Sequence, residues 1–71
     1  MNEVTLVTFS EGSVINPLHT RAFLNFRKAR LYFRELVTNI DSDTDIDDAM
    51  EEGTFRKGEF TVSIWRVELV G

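Results

Sequence analysis

Between Asp41 and Glu52 the chain places seven of its twelve acidic residues: Asp41, Asp43, Asp45, Asp47, Asp48, Glu51 and Glu52. Carboxylates at that density can hold a hard cation or present a continuous negative surface to a partner. Asp41, Asp43, Asp45 and Glu52 fall at positions 1, 3, 5 and 12 of a calcium-binding EF-hand loop. Position 6 breaks the pattern, because the sharp turn there needs glycine and this chain has Ile46. Asp48 stands at position 8, where an apolar residue belongs. The stretch therefore reads as a capped acidic helix or loop, with no metal and no cofactor expected.

Other chemistry is sparse. His19 is the one histidine, and the absence of cysteine excludes disulfides and thiolate metal sites. Ser10, Ser13, Ser42 and Ser63 lie outside any nucleophile-elbow pattern. The four glycines are scattered singly, so no phosphate-cradling loop exists. Paired acids with raised pKa values need burial, which a charged stretch does not provide. An enzyme is not expected.

Five of the eight basic residues, Arg21, Arg27, Lys28, Arg30 and Arg34, cluster between Pro17 and Thr38. Arg27, Arg30 and Arg34 recur at helical spacing, which suits phosphate oxygens. Two features oppose direct nucleic-acid binding. The net charge is −4 with a pI near 4.8, and Leu24 and Leu31 interrupt the basic surface. Pairing of these arginines with the chain's own acids, or with a partner's, fits better.

These residues must be positioned by few elements, because 71 residues form one domain, 1–71. Residues 3–9 (EVTLVTF) are β-branched and aromatic and read as a strand. Residues 10–13 read as a turn. Asn16-Pro17 is a helix-start pattern, and a helix is expected from Pro17 to about Thr38. Its stripe is Leu18, Ala22, Phe26, Ala29, Phe33, Leu36 and Ile40, with Leu24 and Leu31 on the opposite side. Asp43 or Thr44 would cap a short second helix, and Gly53 would end it in a left-handed conformation. Residues 54–56 and 59–70 flank a hairpin turn at Lys57-Gly58. The expected fold is α+β: a small antiparallel sheet of about three strands against one long helix, in the order β-α-(short α)-β-β. Phe26, Phe33 and Leu36 should pack on the sheet face bearing Phe60, Val62 and Ile64.

The last strand carries apolar groups on both sides, since Trp65, Val67 and Leu69 alternate with Phe60, Val62 and Ile64. A bulge near Trp65-Arg66 would re-aim the chain and put Ile64 and Val67 on the same side. Otherwise a helix on one face leaves apolar surface uncovered. Surplus apolar surface on a small domain without staples marks a contact site. The expected function is a small non-enzymatic interaction module that self-associates, as a homodimer or other homo-oligomer, or binds another protein. Its candidate contact residues are Trp65, Val67 and Leu69 on the sheet and Leu24, Leu31, Arg27 and Arg34 on the helix. The alternative is an acidic inhibitor or DNA mimic, of phage or mobile-element type, that blocks a nucleic-acid-handling enzyme through residues 41–52. No apolar run approaches the ~20 residues of a membrane span, and the N-terminal residues lack a signal-peptide pattern. A cytoplasmic protein is expected.

Overall fold

The computed structural model describes residues 2–69; the side chains of Asn2 and Leu69 are outside that description. The fold is α+β, with a five-stranded antiparallel sheet and two helices. In chain order the elements are β1 (Asn2–Glu11), β2 (Val14–Ile15), β3 (Arg21–Phe23), α1 (Phe26–Ile40), α2 (Ile46–Glu52), β4 (Thr54–Lys57) and β5 (Phe60–Leu69). The sheet order is β2-β1-β5-β4, with β3 pairing to β1 on the same side as β2.

A turn after Asn16 and the strand β3 replace the first part of the expected helix. The chain turns at Gly12-Ser13 and pairs Ile15 with Ser10, then leaves the sheet and returns to pair Arg21, Ala22 and Phe23 with Val7, Leu6 and Thr5. The excursion between β2 and β3 is held by the residues that resemble a helix cap. Asn16 Oδ1 accepts from the Leu18 N–H at 3.0 Å, the Asx turn that competes with helix formation. The Asn16 carbonyl accepts from Thr20 Oγ1 at 2.9 Å. Pro17 therefore sits in a turn, which its fixed φ also suits, and Leu18 and Ala22 lie outside any helix. Leu18 is 79% exposed.

The helix cap is Asn25, whose Oδ1 accepts from the N–H groups of Arg27 and Lys28. From Phe26 onward the periodicity holds, and Ala29, Phe33, Leu36 and Val37 are buried. Tyr32 anchors the helix to the excursion, its hydroxyl donating to the His19 carbonyl at 2.7 Å. His19 is thus an exposed loop residue, and not part of a first helical turn. Asp45, one or two residues later than expected, caps α2 by accepting from the N–H groups of Asp47 and Asp48. Gly53 ends it at φ 76°. A Cβ there would also stand 3.3 Å from the Ile64 carbonyl oxygen. The hairpin turn falls at Gly58-Glu59, with Lys57 paired to Phe60.

The ten pairs between β1 and β5 run from Asn2↔Leu69 to Glu11↔Phe60 without a bulge. Strict alternation then sorts each strand into two faces. Thr5, Val7, Phe9, Phe60, Val62 and Ile64 share the face covered by α1, with Phe23 and Phe55 beside them. Phe33, Val7, Val37 and Val62 are its fully buried centre. Phe33 and Leu36 pack on this face as the spacing predicts. Phe26 does not share their burial: it opens the helix, is 38% exposed, and lies under the Arg66 guanidinium at 4.2 Å.

Candidate functional site

Among the described residues, no helix covers the other face of the sheet. Register places Val4, Leu6, Thr8 and Ser10 of β1 there, opposite Val67, Trp65, Ser63 and Thr61 of β5. Ala22 of β3 joins beside Leu6, Ile15 of β2 beside Ser10, and Thr54 and Arg56 of β4 beside Ser63 and Thr61. Every buried residue of the described strands, namely Thr5, Val7, Val62 and Ile64, belongs to the helix-covered face. On the open face Trp65 is 44% exposed, and Val4, Leu6 and Val67 are half-buried by their neighbours alone. Leu69 holds the next register position, opposite Asn2, but its side chain lies outside the described residues.

This face is divided along the strands. One end is apolar, built on the cross-strand pairs Leu6↔Trp65 and Val4↔Val67. The other end is a patch of hydroxyls, tied together by Thr54 Oγ1 and Ser63 Oγ at 3.3 Å and by Ser10 Oγ donating to the Thr61 carbonyl at 3.4 Å. Among the described strand residues, Arg56 is the single charged residue that register assigns to it. Sequence reasoning placed Trp65 and Val67 on an uncovered side. It did not join Val4, Leu6 and Ala22 to them, because that join depends on the register between β1, β3 and β5.

The helix-side candidates separate. Leu24 precedes the Asn25 cap and is 81% exposed, while Leu31 is on α1 and 60% exposed. The expected Leu24/Leu31 ridge on one helix therefore does not form. Arg27, Leu31 and Arg34 instead line one side of a groove of about 440 Å³ between the helices, together with Arg30, Asp45, Ile46 and Asp47.

The seven acids do not form one free surface. Asp41 caps the C-terminus of α1 and accepts from Lys57 Nζ at 2.9 Å. That hydrogen bond, with a second from the Asp43 N–H, holds its carboxyl below the ordinary value of 3.8. Asp45 is engaged as the cap of α2, and Asp47 meets Arg30 at 3.1 Å. Asp43, Asp48, Glu51 and Glu52 are exposed. With Asp45 turned to its own helix and Ile46 opening that helix, the EF-hand spacing does not converge. Among the described residues, no group of three or more His, Asp or Glu is placed to hold a metal ion. No described helix is long and apolar enough to cross a membrane.

A smaller apolar pocket of about 350 Å³ lies at the end of the core, lined by Phe9, His19, Leu36, Asn39, Ile40 and Phe60. The His19 ring meets Phe9 edge-on at 5.4 Å between centroids. Compared with family models, curated proteins and solved structures, the chain matches none of them.

Proposed function

We propose that this chain is a non-enzymatic self-association module whose contact surface is the open sheet face, occupied by a second copy. The observation that carries the proposal is charge depletion. In a chain with 28% charged residues, this face holds a single one at its corner, Arg56, and a half-exposed tryptophan at its apolar end. Loss of charge with enrichment of aromatic residues is what distinguishes the centre of an interface from ordinary surface. Trp is also the residue type most enriched at binding hot spots.

The dimensions suit a second copy. The strands hold 10, 2, 3, 4 and 10 residues, each covering ~3.4 by ~4.8 Å, so the flat area is roughly 470 Å² per protomer. Two such faces come close to the ~1,000 Å² that a specific contact requires, before side-chain relief is counted. A two-fold axis through the Leu6↔Trp65 pair brings the apolar end of one sheet onto that of the other. The uncharged surface thereby meets its own kind, as an isologous contact demands.

Light scattering coupled to size exclusion tests this. At ~500 mM NaCl, where contacts between exposed charges are screened, the parent should elute with twice its 8.2 kDa mass, and Leu6→Asp should halve that mass while keeping the circular dichroism of the fold. A parent that stays monomeric at high micromolar concentration overturns the proposal.

A second reading is favoured by one observation. Asp43, Asp48, Glu51 and Glu52 are exposed and make no ion pair among the described residues. They would form the negative surface of an acidic inhibitor or DNA mimic of a nucleic-acid-handling enzyme. A monomeric chain that displaces DNA from such an enzyme, and loses that ability on Asp48→Lys with Glu51→Lys, would support this second reading. Either role is proposed for a cytoplasmic protein without cofactor.

A further inference from the structure

The outer surface of the two helices is bipolar. Successive residues of a helix turn by ~100°, so Arg27, Leu31 and Arg34 of α1 lie on the side away from buried Ala29, Phe33 and Leu36. Asp47 and Glu51 of α2 lie opposite buried Ala49, with Asp48 beside them. The helices are neighbours, joined by the Arg30–Asp47 pair at 3.1 Å across the groove that both line. A basic strip therefore runs beside an acidic one, with Leu31, 60% exposed, on the basic side. Arg27, Arg34, Asp48 and Glu51 make no ion pair among the described residues.

This arrangement restricts what can cover it. A purely acidic peptide would satisfy Arg27 and Arg34 and meet repulsion from Asp45 and Asp47 on the opposite wall. A purely basic one would face the converse. The occupant must itself be bipolar with the same spacing. A second copy rotated by 180° about an axis lying along the groove meets that demand, since it sets each basic strip against the other copy's acidic strip. We infer that the helix layer is a second self-contact, distinct from the sheet face, in which Arg27 and Arg34 meet Asp48 and Glu51 of another copy around Leu31.

Helices of 15 and 7 residues at ~1.5 Å per residue and ~10 Å wide give roughly 330 Å² per protomer, well below the standard ~800 Å². The contact is therefore weak and sensitive to salt, because exposed charges are screened within ~10 Å at 0.1 M. The sheet contact, being uncharged, is not. With both contacts a protomer assembles beyond the dimer.

Sedimentation velocity on the full chain tests this, in the parent and in a Leu6→Asp background that removes the sheet contact. In both, the helix-layer association should weaken at least ~10-fold between 50 mM and 500 mM NaCl. Arg27→Glu with Arg34→Glu should abolish it, as should Asp48→Lys with Glu51→Lys, each with the circular dichroism of the folded protein retained. An equimolar mixture of the two charge-reversed proteins should associate again. Association that ignores salt, that survives Arg27→Glu with Arg34→Glu, or that is not restored by mixing overturns the inference. So does a Leu6→Asp protein that stays monomeric at 50 mM NaCl. Persistence of salt-sensitive association in a protein whose sheet face has proved inert would refute the sheet reading and leave this one standing.

Discussion

At the scale of single residues, Phe33 and Asp41 carry the clearest consequences. Phe33 is fully buried between α1 and the sheet. Phe33→Ala removes a ring that the surrounding Val7, Val37 and Val62 can only partly replace. The expected cost is about 3–5 kcal/mol, most of the stability of a domain this small. Urea unfolding should show a transition shifted to near-zero denaturant; a midpoint close to the parent's would mean that the helix face is misassigned. Asp41 joins the end of α1 to the β4–β5 hairpin through Lys57, and that bond lowers its carboxyl pKa from 3.8. A lowered folded-state pKa stabilises the fold above the unfolded value and stops doing so as pH falls through the folded one. The parent should therefore lose stability more steeply than Asp41→Asn as pH falls from about 5 to about 2, with the two converging at the acid end. Parallel pH profiles of the unfolding midpoint would contradict the role given to this pair.

At the scale of elements, what was legible and what was not divides at Asn25. From Phe26 on, local periodicity and packing agree, so α1's buried face, the end of α2 at Gly53 and the last two strands can be read directly. Before Asn25 two asparagines compete. Asn16-Pro17 has the composition of a helix start, and Ala22 and Phe26 extend the stripe in register. Yet Arg21 to Phe23 gain more by pairing with β1, whose edge would otherwise lie open. That gain is long-range and leaves no periodic trace in three residues. The same limit applies to the open face: alternation identifies Val67 and Trp65 as partners of one side, but only register brings Leu6 and Val4 to them. Capping chemistry gives a direct check on the corrected boundary. Asn25→Ala should destabilise the fold by about 1 kcal/mol, whereas Asn16→Ala should leave the helical circular dichroism of the folded protein unchanged. A loss of helix signal on Asn16→Ala would restore the longer helix.

At the scale of the whole molecule, the sheet has a covered and an uncovered face, and the layers have opposite character. The helix layer is charged and bipolar; the open sheet face is nearly free of charge. One layer of helices over one sheet is the least that buries a core, and none of the described elements covers the second face. Apolar groups on it are costly unless another surface removes them from water. Trp65 is the chain's one tryptophan and stands in the apolar part of that surface, so its emission reports the proposed contact without a label. Fluorescence of the parent followed from high micromolar to low nanomolar concentration is the most direct test. Emission should be blue-shifted at high concentration and move to the red on dilution, in step with the loss of dimer mass. Red, solvent-exposed emission that stays constant up to high micromolar concentration would contradict it.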